Sequence, residues 1–246
     1  MLIYVYDGSF EGLLTAIYEA YYSKRFPERM ECSHNMQQNI LDDYVPIPAE
    51  PEKADRVYRS IRERISGEAL KHVYNVFLSE AEDAGTRIYE YLRLGWRIGY
   101  KVDLHLTDDR VFKVHEISRR VEYETHKMLG FVRFKLLEGD IYYAPVKPDN
   151  NLVALLAPHF AERLSDQNWI IHDVRRSIAA FFNKKDWLIS EFAPGDLPDT
   201  AGAEMKYQKL WKEFFNTIAI PSRKNPRLQR QLMPRRYWEF LTEKWN

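Results

Sequence analysis

The chain has almost no cysteine. Cys32 is the single one in 246 residues. No disulfide can form within it, and the chain alone cannot build a cysteine-ligated zinc site or an iron–sulfur cluster. Net charge is also lacking, with 36 Lys and Arg against 36 Asp and Glu. No whole-protein field therefore points toward nucleic acid or a membrane surface. No apolar run approaches the ~18 residues that a membrane span needs. The opening MLIYVYDGSFEG has no basic stretch followed by an apolar core and cleavage site, so a secretory signal is not expected and a cytoplasmic location is. Glycine is sparse, at 10 residues, and forms neither GxGxxG nor the phosphate-cradling GxxxxGK. There is no internal repeat and no low-complexity segment.

A hydrophobic share of 45% is enough for a real core in one large domain or two small ones. The most informative stretch runs from His126 to Asp173. Phe131 to Leu137 and Ile141 to Val146 are rich in β-branched and aromatic residues, with Glu138-Gly139-Asp140 as the turn between them, which predicts a hairpin. Leu152, Leu155, Leu156, His159, Phe160 and Arg163 recur at helical spacing, so 151–164 is a helix. Trp169 to Asp173 starts another strand, and two apolar runs, 177–183 and 187–192, flank the turn Asn183-Lys184-Lys185-Asp186. The expected fold is α+β: an antiparallel sheet of about five strands, arranged as two, a crossing helix, then a three-strand meander.

The N-terminal half reads as Leu2 to Tyr6 in a strand, a helix from Phe10 to Ser23, and an irregular connection over 24–51 broken by prolines, with one short strand near Ile40. Helices follow over 54–65, 68–84, 86–100 and 108–129. After a polar connection over 194–202, an amphipathic helix over 204–217 carries Tyr207, Leu210, Trp211, Phe214 and Phe215. The segment 220–234 is expected to be irregular, with a last helix over 235–244. The organisation expected is residues 1–106, a strand plus a mainly helical region, and residues 107–246, a helix, the sheet and a basic C-terminal tail, packed as one compact unit.

Two constellations could carry chemistry. The first is the tail, PSRKNPRLQRQLMPRRYWEF, where Arg223, Lys224, Arg227, Arg230, Arg235 and Arg236 stand without an acid between Pro221 and Arg236. With Asn225 and Trp238 they suit a phosphate backbone and a stacked base. A solvated segment pinned by its aromatics explains the same composition. The second is a His/Asp group. His159 and His172 can converge if the helix packs on the sheet, and Asp173, or Asp7 and Glu11 from the first strand-to-helix turn, would complete an acid–base site. Against it, each histidine can be an ordinary core residue, and Asp173 can pair with Arg175 or Arg176 across a turn as a surface ion pair worth ~0–1 kcal/mol. His34, His72, His105 and His115 join no constellation, HExxH-type spacing is absent, and no metal ligands are assigned.

The stretches YDGSFEGLLTAIYEAY, HKMLGFVRF, APVKPDNNLVALLAPHFAERL, NWIIHDVRRSIAAFF and NPRLQRQLMPRRYWEFL, in this order, resemble a bacterial family described as DNA metabolism or DNA repair proteins. The resemblance runs over nearly the whole chain. In that family the domain is also found fused to iron–sulfur-type uracil-DNA glycosylases, and the stand-alone form is commonly encoded beside a radical-SAM protein. What the resemblance implies is DNA processing with a radical-SAM or glycosylase-type partner. The motif positions it brings are Asp7, Phe10, Glu11, Gly12, His126, Arg133, Pro158, His159, Phe160, His172, Asp173, Arg175, Asn225, Pro226, Arg227, Gln231, Pro234, Arg235 and Trp238, without catalytic roles. The expectation is a DNA-binding accessory protein, with any cluster chemistry supplied by the partner and no cofactor in this chain. One alternative is a nucleic-acid hydrolase using His159, His172 and Asp173, a reading that admits a divalent metal. The other is an interaction scaffold without DNA contact.

Overall fold

The structure, a computed structural model, describes every residue except 36–38, 194, 196, 219, 224, 245 and 246. The candidate Lys224 and part of the 194–202 connection therefore lie outside the described residues. The chain divides into two compact units, Met1–Glu122 and Tyr123–Asn246, rather than at residue 106.

In the first unit, β1 (Leu2–Tyr6) is the centre of a three-stranded sheet, with β2 (Arg29–Cys32) and β3 (Asp43–Ile47) on either side and both parallel to it. The irregular connection expected over 24–51 thus contains two strands, and Ile40 belongs to neither. Both are short edge strands, of four and five residues, and Pro46 is tolerated because an edge strand needs no second ladder of donors. The helix α1 (Phe10–Tyr22) is capped by Ser9, whose Oγ accepts from the Gly12 amide at 2.8 Å. It is followed by α2 (Pro51–Arg64), α3 (Gly67–Leu78), α4 (Ala84–Ile98), a 3-10 turn Gly99–Leu104, and α5 (Asp109–Phe131), which runs past the unit boundary. Ser66 caps α3 by accepting from the Ala69 amide at 2.9 Å. Leu13, Ile17, Ile61, Val73, Ile88, Leu92 and Val111 are fully enclosed in the core that these elements share. Gly85 is needed there, because a Cβ on it would stand 2.7 Å from the Met30 carbonyl oxygen.

The second unit contains the expected five-stranded sheet, in the order β4 (Lys135–Leu137), β5 (Ile141–Val146), β6 (Asn168–Asp173), β7 (Ile178–Asn183), β8 (Trp187–Glu191). The hairpin β4–β5 and the meander β6–β7–β8 are antiparallel as expected. The central pair β5–β6 is parallel, which the expectation missed. A helix, α6 (Val153–Arg163), connects them, and a strand that returns through a crossing helix runs parallel to the one before it. Gly139 and Asp140 take positive φ in the hairpin turn, and Asn183 Oδ1 accepts from the Lys185 and Asp186 amides in the next. Trp169, Ile171, Leu152 and Leu156 are enclosed between sheet and helix.

Beyond the sheet lies α7 (Glu204–Ile218). The segment expected to be irregular contains α8 (Pro226–Leu232), capped by Asn225, whose side chain accepts from the Leu228 amide at 3.0 Å. The last helix expected over 235–244 is instead two 3-10 turns, Arg235–Phe240 and Thr242–Lys244. Among the described residues no helix is long and apolar enough to cross a membrane.

Candidate functional site

The expected His/Asp group does not assemble as a single centre. His172, near the end of β6, is buried, and its Nδ1 lies 2.7 Å from the Tyr143 hydroxyl, while Nε2 is buried with no hydrogen-bond partner among the described residues. Burial lowers its pKa below the ordinary 6.5, although Asp173 works in the opposite direction. Asp173 is fully buried. Its Oδ1 accepts from the Arg175 and Arg176 amides at 3.0 and 3.3 Å, and its Oδ2 from Arg176 Nη1 at 2.7 Å. Arg176 in turn donates to the carbonyls of Pro148 and Asp149. The Arg176 pairing weighed from the sequence is present, but as a buried turn anchor rather than a surface pair. His159 is half-buried on α6 and meets Phe160 edge-on; no hydrogen bond or ring contact joins it to His172. Asp7 and Glu11 are exposed in the first unit, where Asp7 Oδ1 accepts from the Ser9 amide and hydroxyl at 2.9 and 2.6 Å.

The basic segment is largely exposed. Arg223 closes a 3-10 turn, Arg227 and Arg230 project from α8, and Arg235 begins the following turn, its guanidinium 5.8 Å from the Trp238 ring centroid. Among the described residues no carboxylate pairs with any of these four. Arg236 differs: its Nη2 lies 2.6 Å from Asp149 Oδ2 and donates to the Tyr237 hydroxyl at 3.0 Å. Tyr237 is buried and donates to Glu124, which also accepts from the Asp149 and Asn150 amides at 2.8 and 3.0 Å. Trp238 is not a free stacking platform, since its Nε1 donates to the Met233 carbonyl at 2.9 Å and Lys244 covers its ring.

The same unit holds a groove of about 850 Å³ that the sequence did not reveal, between α7 and the β4–β5 hairpin. Tyr207, Trp211 and Phe214 line it from α7, Phe134 and Tyr142 from the hairpin side. The apolar stripe of α7 was legible, but Tyr207, Leu210, Trp211 and Phe214 remain substantially exposed. Arg133 stands at the groove with its guanidinium 5.5 Å from the Trp211 ring and 2.7 Å from Glu243 Oε1. Burial acts to raise the Glu243 pKa, yet hydrogen bonds from Arg133 and Trp211 outweigh it and hold the carboxyl below its usual range. Glu204, buried at the start of α7, accepts from the Leu136 amide at 3.0 Å and from Gln208 at 2.9 Å. The groove thus offers aromatic faces and a held cation to a flat, electron-rich ligand.

A further cluster in the first unit was not anticipated. His72 on α3, Asp103 in the 3-10 turn Gly99–Leu104 and His115 on α5 bring one donor atom each within 4.8 Å of the others. They are 31 and 12 residues apart, so no local spacing signals them. His115 Nε2 lies 2.9 Å from Asp103 Oδ1, which also accepts from the Tyr91 hydroxyl at 2.7 Å. His72 Nδ1 lies 2.9 Å from Ser118 Oγ, which accepts from Asn75 Nδ2 at 3.0 Å. Burial, and then the neighbouring His115, lower the His72 pKa and favour its neutral form.

No curated protein matches the chain. Residues 82–243, more than half of the sequence, match the family described as "Domain of unknown function (DUF4130)", and that stretch takes in the sheet, the groove and the arginine segment alike. The chain is therefore a member of the DUF4130 family.

Proposed function

We propose that this protein is a DNA-binding accessory factor of DNA metabolism or repair, whose C-terminal unit holds a phosphate backbone on its arginine segment and unpaired bases in the aromatic groove. The observation that carries the reading is that Arg223, Arg227, Arg230 and Arg235 are exposed without a carboxylate partner among the described residues, in the unit that also holds the groove lined by Tyr207, Trp211 and Phe214. A protein of zero net charge has no general attraction for DNA, so a concentrated unpaired cluster is what local backbone binding requires. Stacking on Trp or Tyr contributes ~1–3 kcal/mol per base and tolerates any sequence. The motif resemblance to DNA metabolism proteins supports the same reading, and with one cysteine any radical-SAM or glycosylase cluster would have to come from a partner. The hydrolase alternative is the weaker, because the Asp173 carboxylate is already held by Arg176 and the turn amides.

Fluorescence anisotropy of single-stranded and duplex oligonucleotides across a salt series tests this. Affinity should fall steeply as salt rises, and the slope should become shallower when Arg223, Arg227, Arg230 and Arg235 are changed to Ala. Trp211→Ala should weaken single-stranded binding more than duplex binding. Absence of binding at every salt concentration would reject the DNA reading in favour of a protein-interaction scaffold.

A further inference from the structure

We propose that His72, Asp103 and His115 bind a divalent first-row transition-metal ion of the zinc, cobalt or iron(II) class, with further coordination positions left to water. Two imidazoles and one carboxylate suit these borderline ions rather than magnesium or calcium, which prefer oxygen alone. The spacing is close to what an ion requires. Donors on one ion at ~2.0–2.2 Å bond lengths stand ~3 Å from each other. His115 Nε2 and Asp103 Oδ1 already stand 2.9 Å apart, and all three donor atoms fall within 4.8 Å, so only the third must close in.

The surroundings are those of held ligands. Tyr91 donates to Asp103 Oδ1, Ser118 contacts His72 Nδ1, and Asn75 donates to Ser118. Such outer contacts fix ring and carboxylate orientation, and losing one typically costs 10–100-fold in affinity. With Nδ1 of His72 held by Ser118, Nε2 is the ring nitrogen left for the ion. On binding, the ion takes the place of the hydrogen bond between His115 Nε2 and Asp103, and the neutral His115 ring carries its proton on Nδ1. All three side chains are partly exposed, so the ion has an entry path. Three protein ligands are also the number found in sites that keep a water, whereas structural zinc sites use four.

The test uses the full chain, stripped with chelator and titrated with Co²⁺ followed by visible absorption, then with Zn²⁺ in competition. The expected result is one ion per chain, with affinity at least tenfold weaker in His72→Gln and in His115→Gln. Tyr91→Phe should weaken it by a smaller factor while leaving the stoichiometry at one. His159→Gln, in the other unit, should bind like the wild type. If a ligand variant does not fold, paramagnetic shifts of the wild-type imidazole protons on adding Co²⁺ decide the matter, since only ligating or adjacent histidines move. No ion bound by the wild type, or an affinity indifferent to His72 and His115, would overturn the proposal and leave a hydrogen-bonded His–Asp pair.

Discussion

Arg133 and Glu243 are 110 residues apart in sequence, and their charged groups meet at 2.7 Å. Glu243 accepts from Trp211 Nε1 as well, at 2.9 Å, so one carboxylate ties the C-terminal turn to both the hairpin side and the helical side of the groove. Glu243→Ala should therefore lower stability by ~1–3 kcal/mol, because a charged acceptor is lost and two donors are left without it. Urea unfolding followed by tryptophan fluorescence would measure this. A midpoint equal to that of the wild type would mean that the pair contributes nothing to the fold.

Asp173→Ala separates a structural from a chemical role for the motif HDVRR. The carboxylate is fully buried, and Arg176, which it pairs with, has a side chain only 9% exposed. Removing the carboxylate leaves the Arg175 and Arg176 amides and Arg176 Nη1 without this buried acceptor, and each buried group so deprived typically costs ~1–3 kcal/mol. The expected outcome is a large drop in melting temperature. A variant that melts like the wild type but loses function in cells would instead place Asp173 in the chemistry.

These contrasts show what was legible in the sequence. Helices announced themselves through period and, at Ser9, through a cap, and the hairpin, meander and crossing helix of the C-terminal sheet could be read strand by strand. The two short N-terminal edge strands could not, since RMEC alternates over only four residues and DYVPI does not alternate and contains a proline. Asn225-Pro226 is a proper helix start, yet α8 is one short exposed helix with no buried face, and the tail was read as irregular. The candidate sites were less legible than the fold. His159 and His172 were expected to converge if the helix packed on the sheet, but His159 meets Phe160 while His172 meets Tyr143. His72, Asp103 and His115 looked unrelated because only the packing of α3, the 3-10 turn and α5 brings them together.

His172 should give the protein a pH-dependent stability. The unfolded imidazole titrates near the ordinary 6.5, while burial holds the folded one lower. Below 6.5 the unfolded chain takes up a proton that the native state resists, so stability is complete above that pH and declines as the pH falls. The slope can reach ~1.4 kcal/mol per pH unit for each proton refused. His72 is shifted in the same direction and acts in the same window. His172→Phe should make the decline shallower without abolishing it, as measured by denaturant midpoints between pH 7.5 and 5. An unchanged slope would show that the folded His172 accepts its proton freely.

Arg227 and Arg236 carry the same charge in one short segment, yet their surroundings predict opposite consequences of losing them. Arg227 projects from α8 with no carboxylate partner among the described residues. Arg236 is held by Asp149 and by Tyr237, which joins the buried Glu124. Arg227→Ala should leave the melting temperature where it is and reduce the dependence of DNA affinity on salt by about one phosphate contact. Arg236→Ala should lower the melting temperature by loosening the Asp149–Tyr237–Glu124 network, and should change the salt dependence little when measured well below that temperature. Melting curves and salt-series anisotropy on the same two variants check both halves. If Arg236→Ala reduced the salt slope as much as Arg227→Ala did, the Asp149 pairing would have to open on DNA, and Arg236 would join the backbone-binding set.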